Sequence, residues 1–218
     1  MGYPHEIRIM EKMKLLALSD IHGHTKQIPL LADAAKDCDA VILSGDITDF
    51  GGVDQALSVL SALGAFGKPV LGVSGNCDSP QVESVLNQRG GGLAHNPYEL
   101  NGVVFVGFSY AASVEAVLQN EPISRMASQK PMILVTHQPA WGTAVDLQAS
   151  TRHKGSRSVR SFIEDHQPLL AVSGHIHEAY GTDQIGSTLL VNPGPFRNGR
   201  YATIDINKDT AVAKLHWL

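Results

Sequence analysis

Val41-Ile42-Leu43-Ser44-Gly45-Asp46 is an apolar run closed by a small residue, a glycine and a carboxylate. Four more stretches have the same shape: Leu15-Leu16-Ala17-Leu18-Ser19-Asp20, Val70-Leu71-Gly72-Val73-Ser74-Gly75-Asn76, Ile133-Leu134-Val135-Thr136-His137 and Leu170-Ala171-Val172-Ser173-Gly174-His175. A short apolar run bounded by turn signals reads as a buried strand. Each run therefore delivers an Asp, Asn or His to its carboxyl end, the edge at which open α/β sheets bind ligands. His22 and His177 stand two residues beyond Asp20 and His175. Positions i and i+2 of an extended chain point the same way, so each pair can reach one cation. Asp20, His22, Asp46, Asn76, His137, His175 and His177 thus converge on one rim. Such a set is large enough for two ions, and two ions side by side point to phosphoryl transfer. Oxygen donors mixed with imidazole suit Mn²⁺ first, with Fe²⁺, Ni²⁺ or Zn²⁺ as alternatives, better than the all-oxygen sites of Mg²⁺ or Ca²⁺.

Between these runs the periodicity turns helical. Helices are expected over 25–36, 53–63, 79–88, 113–118 and 156–166, with Thr25 and Ser79 as N-caps and Pro80 at a first helical position. Gly90-Gly91-Gly92 reads as a turn. Asn101-Gly102 joins strands over 98–100 and 103–108 as a type I′ hairpin. Short strands over 188–191, 201–206 and 211–215 close the chain. The fold class is α/β: a two-sheet mixed β-sandwich flanked by helices. One domain over 1–218 is expected, with 1–12 as an N-terminal extension.

Composition narrows the function classes. The chain has 218 residues, 43% of them hydrophobic, enough for a full core. A net charge of −4 gives no global signature of nucleic-acid binding and disfavours that partner without excluding it. The apolar runs are strand-length, too short to span a bilayer, so no membrane partner is expected. The polar residues 1–14 lack the apolar stretch of a secretory signal. Two cysteines, Cys38 and Cys77, argue against a disulfide framework and for a cytoplasmic setting.

Taken in order, Asp20-x-His22-Gly23, Gly45-Asp46-x-x-Asp49, Gly75-Asn76-x-Asp78, His137 and Gly174-His175-x-His177 resemble the five motifs of the calcineurin-like metallophosphoesterases. The resemblance runs from the first strand to Asn192-Pro193-Gly194. It implies a β-sandwich flanked by helices. It also implies one metal on Asp20, His22 and His177, a second on Asn76, His137 and His175, and Asp46 bridging them. A hydroxide shared by the two ions would be the nucleophile. One position departs from the usual pattern. Most of the family has His after the Asn, where it assists the leaving group; here Cys77 stands there. Cysteine at this place is similar to a branch of small prokaryotic phosphodiesterases, and a neutral thiol is a weaker donor than imidazole.

Further candidates surround this set. Asp78 is expected to orient Cys77 or a ligand, and Asp49 to bind or to cap its loop. His24 is placed either at a leaving group or at a helix cap. Arg152, His153, Ser156 and Arg157 precede a helix and are candidate phosphate contacts. Trp141 reads as a cleft wall or as core, and Arg197 and Asn198 return near the site without an assigned role. The expected function is a dinuclear-metal phosphodiesterase acting on small or nucleotide-like diesters. A phosphomonoesterase or protein phosphatase is the first alternative, a non-catalytic scaffold or a nuclease the next.

Overall fold

The computed structural model describes residues 12–94, 96–110, 131–149 and 151–218. The expected helix at 113–118 and the histidines at 5 and 95 lie outside them.

All five ligand-bearing runs form strands. In chain order these and their neighbours are β1 (Met13–Leu18), β2 (Ala40–Ser44), β3 (Val70–Val73), β4 (Tyr98–Leu100), β5 (Val103–Phe108), β6 (Met132–Thr136), β7 (Leu147–Gln148), β8 (Arg152–His153), β9 (Leu170–Val172), β10 (Gly181–Ile185), β11 (Thr188–Asn192), β12 (Arg200–Asn207) and β13 (Thr210–Trp217). One sheet has the order β13-β12-β1-β2-β3, a second β10-β11-β9-β6-β5-β4, and β7-β8 is a separate ribbon. Within the sheets β1, β2 and β3 run parallel, as do β5, β6, β9 and β11. The carboxyl ends of the five runs therefore share one edge of the sandwich.

Alternation along each strand sorts the core into layers. Leu15 and Ala17 point between the sheets, where Ile42, Val73, Phe105, Val135 and Val172 meet them. Leu16 and Leu18 point outward, into a layer with Val41 and Leu43. The helices α1 (Ala32–Lys36), α2 (Val53–Gly64) and α3 (Pro80–Gln88) cover that face through residues such as Ala35, Val59, Leu63, Val82 and Leu86. On the far face, Val104, Val106 and Leu134 pack under α4 (Arg157–His166) through Val159, Phe162 and Ile163. Both faces of each central strand are buried, which is why these runs are apolar throughout rather than alternating.

The first helix differs from expectation. A helix running from Thr25 would need Pro29 to donate to the Thr25 carbonyl, and proline has no N–H. Ile28 makes that bond at 3.1 Å instead, and a 3-10 turn over Ile28–Leu31 leads into a short α1. Ser79 holds the N-cap position of α3 with Pro80 next, although its hydroxyl makes no capping bond. Asn101 (φ 50°) and Gly102 (φ 81°) form the β4–β5 turn with both residues left-handed, as a type I′ turn demands. The glycine turn at 90–92 does more than reverse the chain: Gly72 in β3 donates to Gly91 and accepts from Leu93. The β7-β8 ribbon and β10 carry no clear sequence signal.

Candidate metal centre

The ligand residues sit where strands end and the backbone turns left-handed. Asp20 (φ 53°), His22 (φ 49°), Asp46 (φ 49°) and His175 (φ 68°) all adopt this conformation without being glycine. Non-glycine residues held there cost about 1 kcal/mol or more each and concentrate at functional sites. The surrounding loops fix them. Asp20, His22 and Gly23 donate through their backbone N–H groups to the carbonyls of Gly45, Asp46 and Ile47 at 3.1, 2.9 and 2.9 Å. The loops after β1 and β2 are thereby stitched side by side. Two of the motif glycines admit a neighbouring ligand: a Cβ on Gly45 would strike the His137 ring, and one on Gly75 would strike the Asp46 carboxylate.

Two clusters of ligand atoms result. In the first, His177 Nε2 is 3.0 Å from Asp20 Oδ1, and His22 Nε2 is 4.0 Å from the same oxygen. In the second, His137 Nε2 is 2.9 Å from Asn76 Oδ1 and 3.2 Å from His175 Nδ1. The Asp46 carboxylate lies between them, with Oδ2 3.8 Å from His22 Nε2 and Oδ1 3.4 Å from His137 Nε2. Asp20-His22-His177, His22-Asp46-Cys77 and Asp20-Asp46-His137 each place their ligand atoms within 4.8 Å of one another.

The donor set fits cations. His137 Nδ1 donates to the Ser44 carbonyl at 2.8 Å, so in the neutral ring Nε2 carries a lone pair. That lone pair faces an amide oxygen, a carboxylate oxygen and a third nitrogen. Both nitrogens of buried His22 lack any hydrogen-bond partner. His137 Nε2 with the Asn76, Asp46 and His175 atoms around it, and the orphaned His22 imidazole, are groups that a cation between them would satisfy. The protonation states agree. Burial would raise the Asp20 and Asp46 carboxyls, but the neighbouring His177 and His137 outweigh it and hold both below the usual carboxylate range. Burial lowers the His22 and His175 imidazoles; the Arg197 charge adds to this at His22, and His137 does so at His175. His137 goes the other way: burial opposes its charge, but the Asp46 carboxylate prevails and raises it.

Cys77 is buried beside the centre. Its backbone N–H donates to Asp46 Oδ1 at 2.8 Å, and its sulfur accepts from Asn76 Nδ2 at 3.3 Å, which turns the Asn76 oxygen toward His137. Burial and the adjacent Asp46 push the thiol up to about 12, so it stays protonated. Asp78 reaches the backbone around the site. Its carboxylate accepts from the backbone N–H groups of Ile47, Thr48 and Gly75 and from the Thr48 hydroxyl, at 2.7 to 3.1 Å. It clamps the β2 and β3 loops together. Asp49 Oδ1 is 3.6 Å from His22 Nδ1 and mostly exposed. His24 is exposed and caps no helix, since none starts at Thr25.

Three of the four candidate phosphate contacts are engaged in their own loop. Ser156 accepts from Val159 N–H as the N-cap of α4. His153 Nδ1 is 2.6 Å from Asp146, which also accepts from the N–H groups of Gly142, Thr143 and Gly155. The Arg157 guanidinium stacks 3.8 Å over the Trp141 ring, which explains Trp141 as part of this braced loop. Arg152 is exposed on β8. The ribbon lies beside the His177 segment, where Ala149 N–H donates to Glu178 at 3.2 Å.

Two neighbours carry no ligand-type pattern in the sequence. Tyr110 packs its ring 5.5 Å from His175 and 5.9 Å from His137. Arg197 Nη2 lies 3.3 Å from His177 Nδ1.

Strand-end carboxylates and imidazoles split into two clusters about a shared aspartate define a metal-dependent phosphoester hydrolase. Residues 13–209 match the calcineurin-like phosphoesterase superfamily domain, and the chain belongs to that family. An uncharacterized protein of Methanocaldococcus jannaschii, MJ1162, is 30% identical over 217 residues, which span 94% of this chain and 97% of that one. The crystal structure of TT1561 from Thermus thermophilus superposes with a TM-score of 0.74 at 17% identity, covering 94% of this chain and 99% of that one. A purple acid phosphatase, PPD1 from yellow lupin seeds, superposes with a TM-score of 0.62 at 12% identity, over 99% of this chain and 52% of its own. These two structures share the fold. Among the described residues, no helix is long and apolar enough to cross a membrane.

Proposed function

We propose that this chain is a dinuclear metallophosphodiesterase that hydrolyses small or nucleotide-like phosphodiesters. The placement of the Asp46 carboxylate between two sets of ligand atoms carries the reading. Asp20, His22 and His177 would hold one divalent ion, Asn76, His137 and His175 the other, with Asp46 shared. Mn²⁺ matches this mixture of nitrogen and oxygen donors. Two bound cations supply Lewis acidity toward the phosphoryl oxygens and acidify a water at neutral pH.

The chain's own residues prepare that chemistry. Asp20 and Asp46 are held ionised, and His22 and His175 are held neutral. Ser44 fixes the tautomer of His137. Asp78 keeps the β2 and β3 loops, and hence Asp46 and Asn76, at a constant separation. Cys77 retains its proton far above neutral pH and is a poor acid for an alkoxide leaving group. A site without a strong leaving-group acid suits diesters whose leaving group departs readily. It agrees with the small prokaryotic phosphodiesterases that carry cysteine at this place.

Mn²⁺-loaded protein assayed against aryl monoesters, aryl diesters and single-stranded nucleic acid tests the reading. Diester turnover above monoester turnover is expected. Faster monoester turnover, or cleavage confined to nucleic acid, would overturn it.

A further inference from the structure

We infer that Arg197 is the side chain with which the protein grips a phosphate at the metal centre. The inference rests on the metal-centre reading above and adds a substrate contact to it.

Its position is built, not incidental. β1 ends at Leu18, and Ser19 then pairs with Pro195 in a parallel bridge. Phe196 donates its N–H to the Ser19 carbonyl at 2.8 Å and buries its ring completely. Arg197 donates its own N–H to the Asp20 carbonyl at 3.3 Å. The tight turn Phe196–Asn198 closes on Gly199, which is left-handed at φ 81°. The backbone that places the Asp20 carboxylate therefore also places Arg197, and the ring of Phe196 anchors the turn from below.

The guanidinium is exposed, and among the described residues no carboxylate pairs with it. It lies 3.3 Å from His177 Nδ1, and the far nitrogen of that ring is 3.0 Å from Asp20 Oδ1. Arg197 thus stands one imidazole width from the ligand cluster. Two other arginines of this region lie on aromatic rings: Arg157 on Trp141, and Arg200 3.2 Å over the Tyr180 ring. An arginine keeps its charge at any working pH and presents a planar fork that matches two phosphate oxygens.

Inorganic phosphate binding to the Mn²⁺-loaded full chain, measured by calorimetry, tests this. Arg197→Ala is expected to weaken phosphate by about 10-fold or more, the worth of a hydrogen bond to a charged partner. Arg197→Lys should recover part of that loss, since it keeps the charge but not the fork. Metal content by mass spectrometry should stay at the wild-type value in both. In turnover, KM should rise with kcat little changed, and more for a dianionic monoester than for a diester. Phosphate affinity within about twofold of wild type in the alanine variant would overturn the inference. So would a weakening matched by loss of metal, which would make Arg197 a brace for His177. Lost phosphate affinity in a chain that hydrolyses no phosphoester would leave the inference standing and remove the phosphodiesterase reading instead.

Discussion

His137 performs two tasks with one ring. Nδ1 ties it to the Ser44 carbonyl at the end of β2, and Nε2 looks into the second ligand cluster. Without a cation, the Asp46 carboxylate overcomes the effect of burial and raises this imidazole above its ordinary value. A raised value means the ring holds its second proton to a higher pH than a free imidazole does. A cation can bind only the neutral ring, so loading must displace that proton. Calorimetric metal titrations at pH 7, run in buffers of different ionisation enthalpy, are expected to show net proton release. Release that is unchanged in His137→Gln would remove the proton from His137. The Cys77 thiol gives a second prediction at this scale. With a value near 12 it cannot supply a proton efficiently at neutral pH. Cys77→Ala should change little on activated aryl diesters. Cys77→His should raise turnover of poor leaving groups most, within the ~10²–10⁴-fold range of general acid catalysis. Uniform loss across a leaving-group series in the alanine variant would contradict the poor-acid account.

Loops, not strands, hold the ligands at the next scale. The Asp78 carboxylate collects four hydrogen bonds from the loops after β2 and β3. Asp78→Ala strips all four and is expected to cost about 2–3 kcal/mol in urea denaturation of metal-free protein, because backbone donors are left unpaired. A loss under about 0.5 kcal/mol would show that solvent replaces the clamp. Sequence reading reaches the strands more easily than these loops. A strand buried on both faces has no polar residues to blur it, so β1, β2, β3, β6 and β9 announce themselves, each with its ligand residue at the carboxyl end. The helix over 53–63 is legible for a similar reason: its apolar stripe has no competitor. Pro29 blocks the helix over 25–36 through one missing donor, a local effect that a periodicity reading passes over. Asp78 reads as part of the chemistry because it stands in a ligand motif, yet its carboxylate turns toward backbone N–H groups thirty residues away in the chain. The turn after Asn192-Pro193-Gly194-Pro195 places Arg197 near the site but gives it no role; the bridge between Ser19 and Pro195 shows which backbone it is tied to. Long-range stitching of this kind leaves no trace in spacing.

At the largest scale the described residues form two main sheets packed face to face, with one edge made polar by seven residues of metal-ligand type. Metal-free protein must hold two ionised carboxylates and an unpartnered imidazole at that edge. Cations that bind only the folded chain offset this strain and add about 2.7 kcal/mol of stability at a hundredfold excess over Kd. Chelation is therefore expected to lower Tm by roughly 5–10 °C for a chain of this size. An unchanged Tm would mean that the ligand cluster is not a metal site in solution. The central claim, that two ions act together about Asp46, is tested most directly by titrating metal-free protein with Mn²⁺ while following aryl diester hydrolysis. The account predicts negligible turnover at first, a lag through the first equivalent, and a plateau at two equivalents per chain. A plateau at one equivalent, or full turnover in metal-free protein, would contradict it.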